Sequence, residues 1–562
     1  MLPAILIMSL GLINLRFDLL GQDNRAWWNG QIRRLLIGLP LCALWVYFAL
    51  PPLVNWVGYS VMLLALGVNA LLTLVPQAAR ARPGERWKCV RVPTLALIIS
   101  LLIPLYLHVL VVPFRSMALR DVPTVVELDD PMPVMNPEHI RLVPIETALW
   151  KAQKAVGDLG TGFAVGELSI QMIDDKLYWV APLEFRGPLK WLSYQETPGF
   201  VLVDGEDPDA AAVLHESRLI YTPSACLYRD LKRHVYQLRN DALLLEVNFE
   251  LDDDFSPWYI VSIGVPTVGA TGARTTGVIL VHPETGELRE YTLEDMPEWI
   301  DEAIPETIAE RHNYWFGRYA HGFWNSLFGQ KGVHTPTVWG DEGIDVFGVI
   351  GADNRFYWFT GHTSPSTQDG SLMGYTMTDG RTGIIYYYRN AVGYYNESAA
   401  VSSVNAAVAN YAGWHGAQPL LYNLYGAESY VVPILSANNN LQAVGIVNAK
   451  TGQTVVKPTK AEALLVYRQY LGSGLGDTDP TQTATAAQLE GTVARVGQAV
   501  VQGNTIFYFH LANSDRIFTA HASLSSEVAL TQPGDQVRLG YLDTNETTVP
   551  LITFDNLALP GE

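Results

Sequence analysis

SPWYIVSIGVPTVGATGARTTGVILVHPETGELREY, residues 256–291, decides the reading of this chain. The aromatic pair Trp258-Tyr259 opens a β-branched run, and a polar, glycine-rich loop follows. Gly277 then opens a second run, VILV, which closes on the turn PETG. β-Branched and aromatic side chains pack well on a pleated, half-buried face, so each run reads as a strand. A turn of the type Asp/Pro-x-Thr-Gly uses its glycine for a positive φ. The stretch therefore predicts a β-hairpin.

Much the same arrangement occurs four times. The other copies are Lys176–Asp204, Arg355–Tyr388 and Glu428–Val455. The opening glycine and the turn glycine are nine residues apart from Gly277 to Gly286 and from Gly374 to Gly383, and seven from Gly445 to Gly452. The first copy departs, because Gly199 leads into VDGEDP with no Thr-Gly. A lone hairpin is marginally stable, so each copy needs a cover. Helical candidates stand between the copies: Ile145–Val156, Asn396–Tyr411 with an Asn N-cap, and Lys460–Leu471. An aromatic helical stretch, RHNYWFGRYAHGFWNSLF, precedes the third copy. The expected class is α+β, with tandem antiparallel hairpin-and-helix modules behind a helical membrane anchor.

The strand–loop–Gly–strand–Thr-Gly pattern resembles the PepSY-type module, a small extracytoplasmic α+β unit. The stretches FYWFTGHTSP…MGYTMTDGRTG (356–383) and QPLLYNLYGAESYVVPIL (418–435) are also similar to bacterial multi-span membrane proteins of unassigned function. Some of these carry the label cell-shape-determining protein. This resemblance covers most of residues 140–471. It implies a bacterial plasma (inner) membrane location and a large exterior region, and no chemistry. The expected division is a membrane anchor of three or four spans (1–113), an extended linker (114–144), modules one and two (145–295), the helical aromatic segment and module three (296–395), module four (396–471), a flexible linker (472–486) and a small barrel (487–562).

The anchor is legible from hydropathy. Residues 92–113 run 22 residues without a charge, long enough at about 1.5 Å per residue for a ~30 Å hydrocarbon core. Residues 35–76 are uncharged and broken by Pro51-Pro52, which fits two spans and a tight turn. Residues 1–15 read as a fourth span, a re-entrant piece or an uncleaved anchor. The loop 77–91 holds five basic residues and one acid, which predicts a cytoplasmic position and sends residues 114–562 to the extracytoplasmic side. Residues 1–113 carry nine Lys/Arg and three acids, so a chain of net charge −19 leaves −25 on residues 114–562. Phosphate recognition needs clustered Lys/Arg, so nucleic acid is excluded as a partner.

After the Gly/Ser/Thr/Asp/Pro linker come five short apolar runs, GTVARVGQAVV, TIFYFHLA, IFTAHAS, DQVRLGYLD and VPLITFDNL. Five strands in about 75 residues suggest a barrel of the OB type. It holds three arginines and no lysine, so packing or protein contact is the reading rather than nucleic-acid binding.

No pattern announces catalysis. HExxH, GxSxG and a P-loop are absent, and the three cysteines form no CxxC pair. His312 and His321 are nine apart, which does not share one helical face. The acids Asp252–Asp254 lack the ligand spacing of a calcium loop and read as a turn. The expectation is no catalytic residue, no metal and no cofactor. Trp258, Tyr259, Tyr357 and Trp358, with Thr363 and Ser364 in a polar loop, are candidates for a partner-binding face, and the same aromatics suit cross-strand packing. The expected role is a non-enzymatic, membrane-anchored extracytoplasmic scaffold. Its expected partners are membrane lipid and other proteins, either as a homo-oligomer or as a larger membrane-associated assembly. The alternatives are an envelope sensor binding peptide or glycan, and an accessory subunit of a membrane complex.

Overall fold

The first helix, α1 (Leu2–Leu10), rises only about 14 Å, too short for hydrocarbon of ~30 Å. It packs Ala4 and Met8 against Cys42, Val46, Val61 and Ala65 of the helices that follow. Those are α2 (Asn24–Ala49) and α3 (Asn55–Arg80). α4 (Arg86–Leu105) continues through a π-helical turn, Tyr106–Leu110, into α5 (Val111–Arg120). Among the described residues, three segments are long and apolar enough to cross a membrane: Asn24–Ala49, Asn55–Gln77 and Val90–Arg120. The computed structural model describes residues 1–80, 86–338, 346–365, 370–472, 486–501, 504–522, 524–542 and 547–559. The middle of the basic 77–91 loop and most of the 472–486 linker lie outside the described residues.

One end of the helical bundle is bonded to the rest of the chain. The Leu53 N–H donates to Asn240 O (2.7 Å), and the Tyr236 hydroxyl donates to Pro51 O (2.7 Å). At the third span the Ala270 N–H donates to Leu107 O (3.1 Å), within the π-helical turn. Such a turn breaks the regular ladder of the helix. Val111 and Leu119 pack on Val268, Trp315 and Tyr319. The turn after α2 and the end of α5 therefore meet the body, while Arg25, Arg33 and Arg91 belong to the opposite ends of their helices.

Each repeated hairpin is the centre of its own four-stranded antiparallel meander. Sheet I has the meander Ser169–Ile173, Lys176–Phe185, Thr197–Asp204 and Val213–Leu219, and Phe163–Val165 also pairs with its second strand. Sheet II comprises Leu243–Leu251, Pro257–Val268, Thr271–Val281 and Leu288–Thr292. Sheet III has the meander Phe347–Ile350, Phe356–Thr363, Gly374–Asp379 and Ile385–Tyr388, and Thr335–Pro336 also pairs with its second strand. Sheet IV has the meander Leu420–Leu424, Ala427–Leu435, Leu441–Asn448 and Thr454–Lys457, and His415–Gly416 also pairs with its second strand. α6 (Ile145–Ala155) precedes sheet I, whose central loop carries α7 (Pro188–Tyr194). α8 (Leu231–Leu238) precedes sheet II. α9 (Glu306–Arg318) and the short α10 (Gly322–Trp324) precede sheet III. α11 (Glu397–Ala407) precedes sheet IV, and α12 (Lys460–Gly472) follows it. Asn396 caps α11 as its residue type predicts, accepting the Ala399 N–H at 2.9 Å.

The repeat is real in register as well as in order. Trp179 faces Val203, Tyr259 faces Val281, Trp358 faces Thr378 and Tyr430 faces Val447, and all four aromatics are buried. The second residue of each pair stands one step before the turn that joins the third strand of its meander to the fourth. In sheets II–IV that turn is built alike: the N–H of Gly286, Gly383 or Gly452 donates to the carbonyl of His282, Asp379 or Asn448 at 2.9 Å. The three glycines have φ of 74°, 75° and 73°, a conformation in which other residues are strained. The Asp379 carboxylate also accepts the N–H groups of Arg381 and Thr382, and the Asn448 side chain those of Lys450 and Thr451.

The sheets pack face to face in the order II–I–III–IV. Phe249, Tyr259 and Ile279 of sheet II meet Val180, Phe200 and Leu202 of sheet I. The other face of sheet I, with Leu177, Trp179 and Val201, meets Ile350, Phe356 and Trp358 of sheet III. Sheet III then presents Phe359, Tyr375 and Met377 to Tyr422, Tyr430 and Val432 of sheet IV. Burial on both faces explains why the strand AESYVVPIL lacks the polar alternation of a half-exposed strand.

Residues 114–144 are not a free linker. Val125–Leu128 pairs in parallel with Ile385–Tyr388 at the edge of sheet III, and Met132, Met135, Ile140 and Leu142 are in the core between sheets III and IV. The C-terminal strands Ala486–Val501, Asn504–Leu511, Ile517–His521, Thr548–Asn556 and Gln536–Leu542 close into a barrel in that spatial order. Ile517–Thr519 runs parallel to Thr548–Pro550, and the other pairings are antiparallel.

Candidate functional site

The polar residues that the fold brings together lie where sheets I, II and III meet. A cavity of about 150 Å³ is lined by Ser169 and Trp179 of sheet I, Glu246 and Asn248 of sheet II, Gly348 and Trp358 of sheet III, and Gln418 just ahead of sheet IV. Arg141, Glu167, Glu302 and Glu306 complete the wall. The Arg141 guanidinium donates to Gly348 O (2.9 Å) and to the Gln418 side chain (3.2 Å), and lies 5.3 Å from the centre of the Trp179 ring. Its full burial lowers its pKa.

The carboxylates crowd one another. Burial first, then the charges of Glu250, Glu246, Glu306 and Glu167, pushes the Glu302 carboxyl well above the usual range. Glu167 is raised by burial and by Glu246. Behind the wall, burial raises Glu250 and Asp301 together, Glu250 further through the charge of Asp301. Glu250 accepts the N–H groups of Asp301 (2.9 Å) and Glu302 (3.1 Å). Crowding of this kind opposes ionisation of the buried members together. Among the described residues no group of three or more His, Cys, Asp or Glu is placed to hold a metal ion.

A second buried polar group joins α9 to sheet III. His334 Nδ1 and His362 Nδ1 are 2.8 Å apart, and His362 Nε2 is 3.3 Å from Asn313 Oδ1. The Thr376 hydroxyl donates to the same Asn313 oxygen at 2.7 Å. Burial lowers the pKa of both histidines, so one ring donates and the other accepts in the neutral state. His312 is buried separately, 2.9 Å from Ala273 O, and His321 is exposed on the surface.

The residues singled out from sequence do not form one face. Trp258 is buried against Ile260, Met296 and Ile300. Tyr259 is buried between sheets I and II, and its hydroxyl donates to Glu184 (3.0 Å). Trp358 is buried between sheets I and III and donates to Ile304 O (2.7 Å). Thr363 is buried at the end of its strand, opposite Thr335, and Ser364 beside it is half-buried. Tyr357 differs. It lines an apolar groove of about 350 Å³ between sheets III and IV, with Met132, Met135, Tyr386 and Tyr388, and its hydroxyl donates to Asp353 (2.8 Å). Asp252 forms the turn read from its sequence, accepting the N–H groups of Asp254 and Ser256.

The chamber left a trace in the sequence. Glu246, Asn248 and Glu250 alternate along LLLEVNFEL, which places three polar groups on one side of an otherwise apolar strand. Arg141, Glu167, Glu302 and Glu306 come from loops and a helix start distant in sequence, and no local pattern marks them.

No protein-family model matches this chain, and no curated protein matches it. Among solved structures, a point mutant of an apocarotenoid oxygenase from Synechocystis aligns at 8% identity and a TM-score of 0.13, over 71% of this chain and 64% of that one. The chain thus spans about two thirds of that protein's length, and a similarity so low carries no argument about fold or function.

Proposed function

We propose that this chain is a multi-pass protein of a bacterial plasma membrane, with residues 114–562 outside the cytoplasm as a non-catalytic scaffold. In this reading the four helix-and-meander units are PepSY-like repeats and the terminal barrel is an OB-like module. Together they contact protein partners or further copies of the chain. The observation that carries it is the seating of the body on one end of the spans. The turn after α2 and the end of α5 meet sheet II, α8 and α9, while Arg25, Arg33 and Arg91 belong to the far ends. Basic ends favour the cytoplasm, which supports an exterior body. The barrel's strand order and its single parallel pairing support the OB-like reading. Purification in mild detergent followed by native mass spectrometry tests the role. A stable homo-oligomer or a reproducible protein companion is expected, and a lone monomer would contradict it.

The Tyr357 groove favours a second reading, a sensor for peptide or glycan. Saturable quenching of tryptophan fluorescence by cell-wall fragments, lost in Tyr357→Ala, would favour that reading over the scaffold.

A further inference from the structure

We propose that two exposed apolar segments of the body lie in the interfacial layer of the bilayer, so that the body rests on lipid as well as on its three spans. The first is Gly322–Gly329. Trp324 is 59% and Phe328 81% exposed, and their rings stack at 6.2 Å. The segment is fixed to the end of the third span: the Phe323 N–H donates to Ser116 Oγ at 2.8 Å, and Gly322, at φ 82°, sits on Met117. Phe114, on that span, is itself exposed.

The second segment combines α7 with Leu227 and Tyr228. Leu189 is 78% exposed, and Leu192 and Tyr228 are exposed beside it. Trp191 joins the two parts through a ring contact with Tyr228 at 6.5 Å. Arg233 ties them to the end of the first span. Its guanidinium donates to Leu227 O and to Tyr47 O (3.1 Å), and lies 4.3 Å from the centre of the Tyr47 ring.

Three arguments select lipid as the occupant. Both segments are continuous with the ends of membrane-spanning helices. Clustered exposed apolar side chains of this kind mark contact surfaces, and the amphipathic rings of Trp and Tyr suit the headgroup layer. The charge is also complementary. Residues 311–340 hold Arg311, Arg318 and Lys331 with no acid, and residues 227–239 hold four basic residues against Asp230, within a region of net −25. Basic side chains beside a bilayer are drawn to anionic headgroups. The inference rests on the three spans and holds on either side of the membrane.

The test uses the full chain with its native cysteines replaced, reconstituted in vesicles of phosphatidylcholine with and without phosphatidylglycerol. Nitroxide labels are placed at Phe328→Cys and Leu189→Cys, with Leu101→Cys in the third span and Tyr411→Cys on the α11 side as references. At positions 328 and 189, collision with oxygen several-fold favoured over collision with an aqueous nickel complex, intermediate between the references, is the expected result. Labels as water-accessible as position 411 in both lipids would overturn the inference. So would labels that are aqueous in these vesicles and shielded only in native membranes, which would assign the face to a protein. A water-accessible label at position 101 would instead refute the spans themselves.

Discussion

Sheets I and III leave the third strand of their meanders through the same residue type and then part company. In both, an aspartate accepts two backbone N–H groups two and three residues on: Asp379 from Arg381 and Thr382, Asp204 from Glu206 (2.9 Å) and Asp207 (2.8 Å). Sheet III then closes through Gly383. Sheet I has Pro208 at that position, which offers neither an N–H nor a positive φ, so the chain runs on to Val213. α6 holds the open loop instead, because Lys151 donates to Pro208 O and to Ala210 O (2.8 Å). Asp204 also pairs with Lys176 at 2.6 Å. The repeat is thus carried by strand register and by the side-chain cap, and the Thr-Gly pair is one of two ways to finish it.

The largest test of this comparison is at the glycines that open the second strands. A Cβ at Gly199 would stand 1.9 Å from His215 O, whereas at Gly374 it would meet the Tyr387 ring at 2.6 Å. Gly199→Ala should cost about 3–5 kcal/mol, measured by thermal or urea unfolding in detergent. Gly374→Ala should cost less, since a ring shifts more readily than a paired strand. Equal costs would break the argument from close approach.

Removing the cap comes next. Asp379→Ala should cost about 2 kcal/mol by leaving two N–H groups unpaired. Asp379→Asn should cost under about 1, because an amide oxygen serves the same turn at Asn448 in sheet IV. A loss as large for Asn as for Ala would show that charge, not the acceptor, is what matters.

The aspartate of sheet I has a further partner. Burial opposes its ionisation, but Lys176 and the turn N–H groups outweigh it and hold its pKa below the usual 3.8. A depressed carboxyl contributes stability above the unfolded value, and that contribution is lost as pH falls through the folded value. Asp204→Asn should therefore cost about 1 kcal/mol at pH 7, discounted because Lys176 is half exposed, and should flatten the acid limb of the stability curve below pH 4. An unchanged acid limb would remove the ion pair from the account.

The smallest effect is expected from Lys151→Ala. Global stability should fall by less than about 1 kcal/mol, while amide exchange in residues 205–212 accelerates. Unchanged exchange there would mean that α6 does not hold the loop.

The central strands, the helices α6, α9, α11 and α12, the anchor and all five barrel strands were legible, since each is a local run with its own turn or cap, whereas the short α7 and α8 were not. The first strand of each meander was not. Ser169–Ile173 and Phe347–Ile350 are short and carry no turn signal that joins them to the hairpin they complete. Val125–Leu128 was less legible still, because its pairing with Ile385–Tyr388 spans some 260 residues. Leu2–Leu10 is as apolar as a span, and only its length and its packing on α2 and α3 set it apart. Of the candidate site, the aromatics at 258, 259 and 358 were chosen for their residue type, the very property that buries them. The chamber of Arg141, Glu167, Glu246 and Glu302 exists only once three sheets converge.

The sidedness of the chain is most directly measured by labelling with a membrane-impermeant maleimide, on a background with the native cysteines replaced. Tyr411→Cys, exposed on the α11 side of sheet IV, and Arg25→Cys, exposed at the start of α2, are compared in intact spheroplasts and after lysis. Labelling of position 411 before lysis and of position 25 only after it is the predicted result. The reverse pattern, or labelling of both positions before lysis, would contradict a body borne on the outer ends of the three spans.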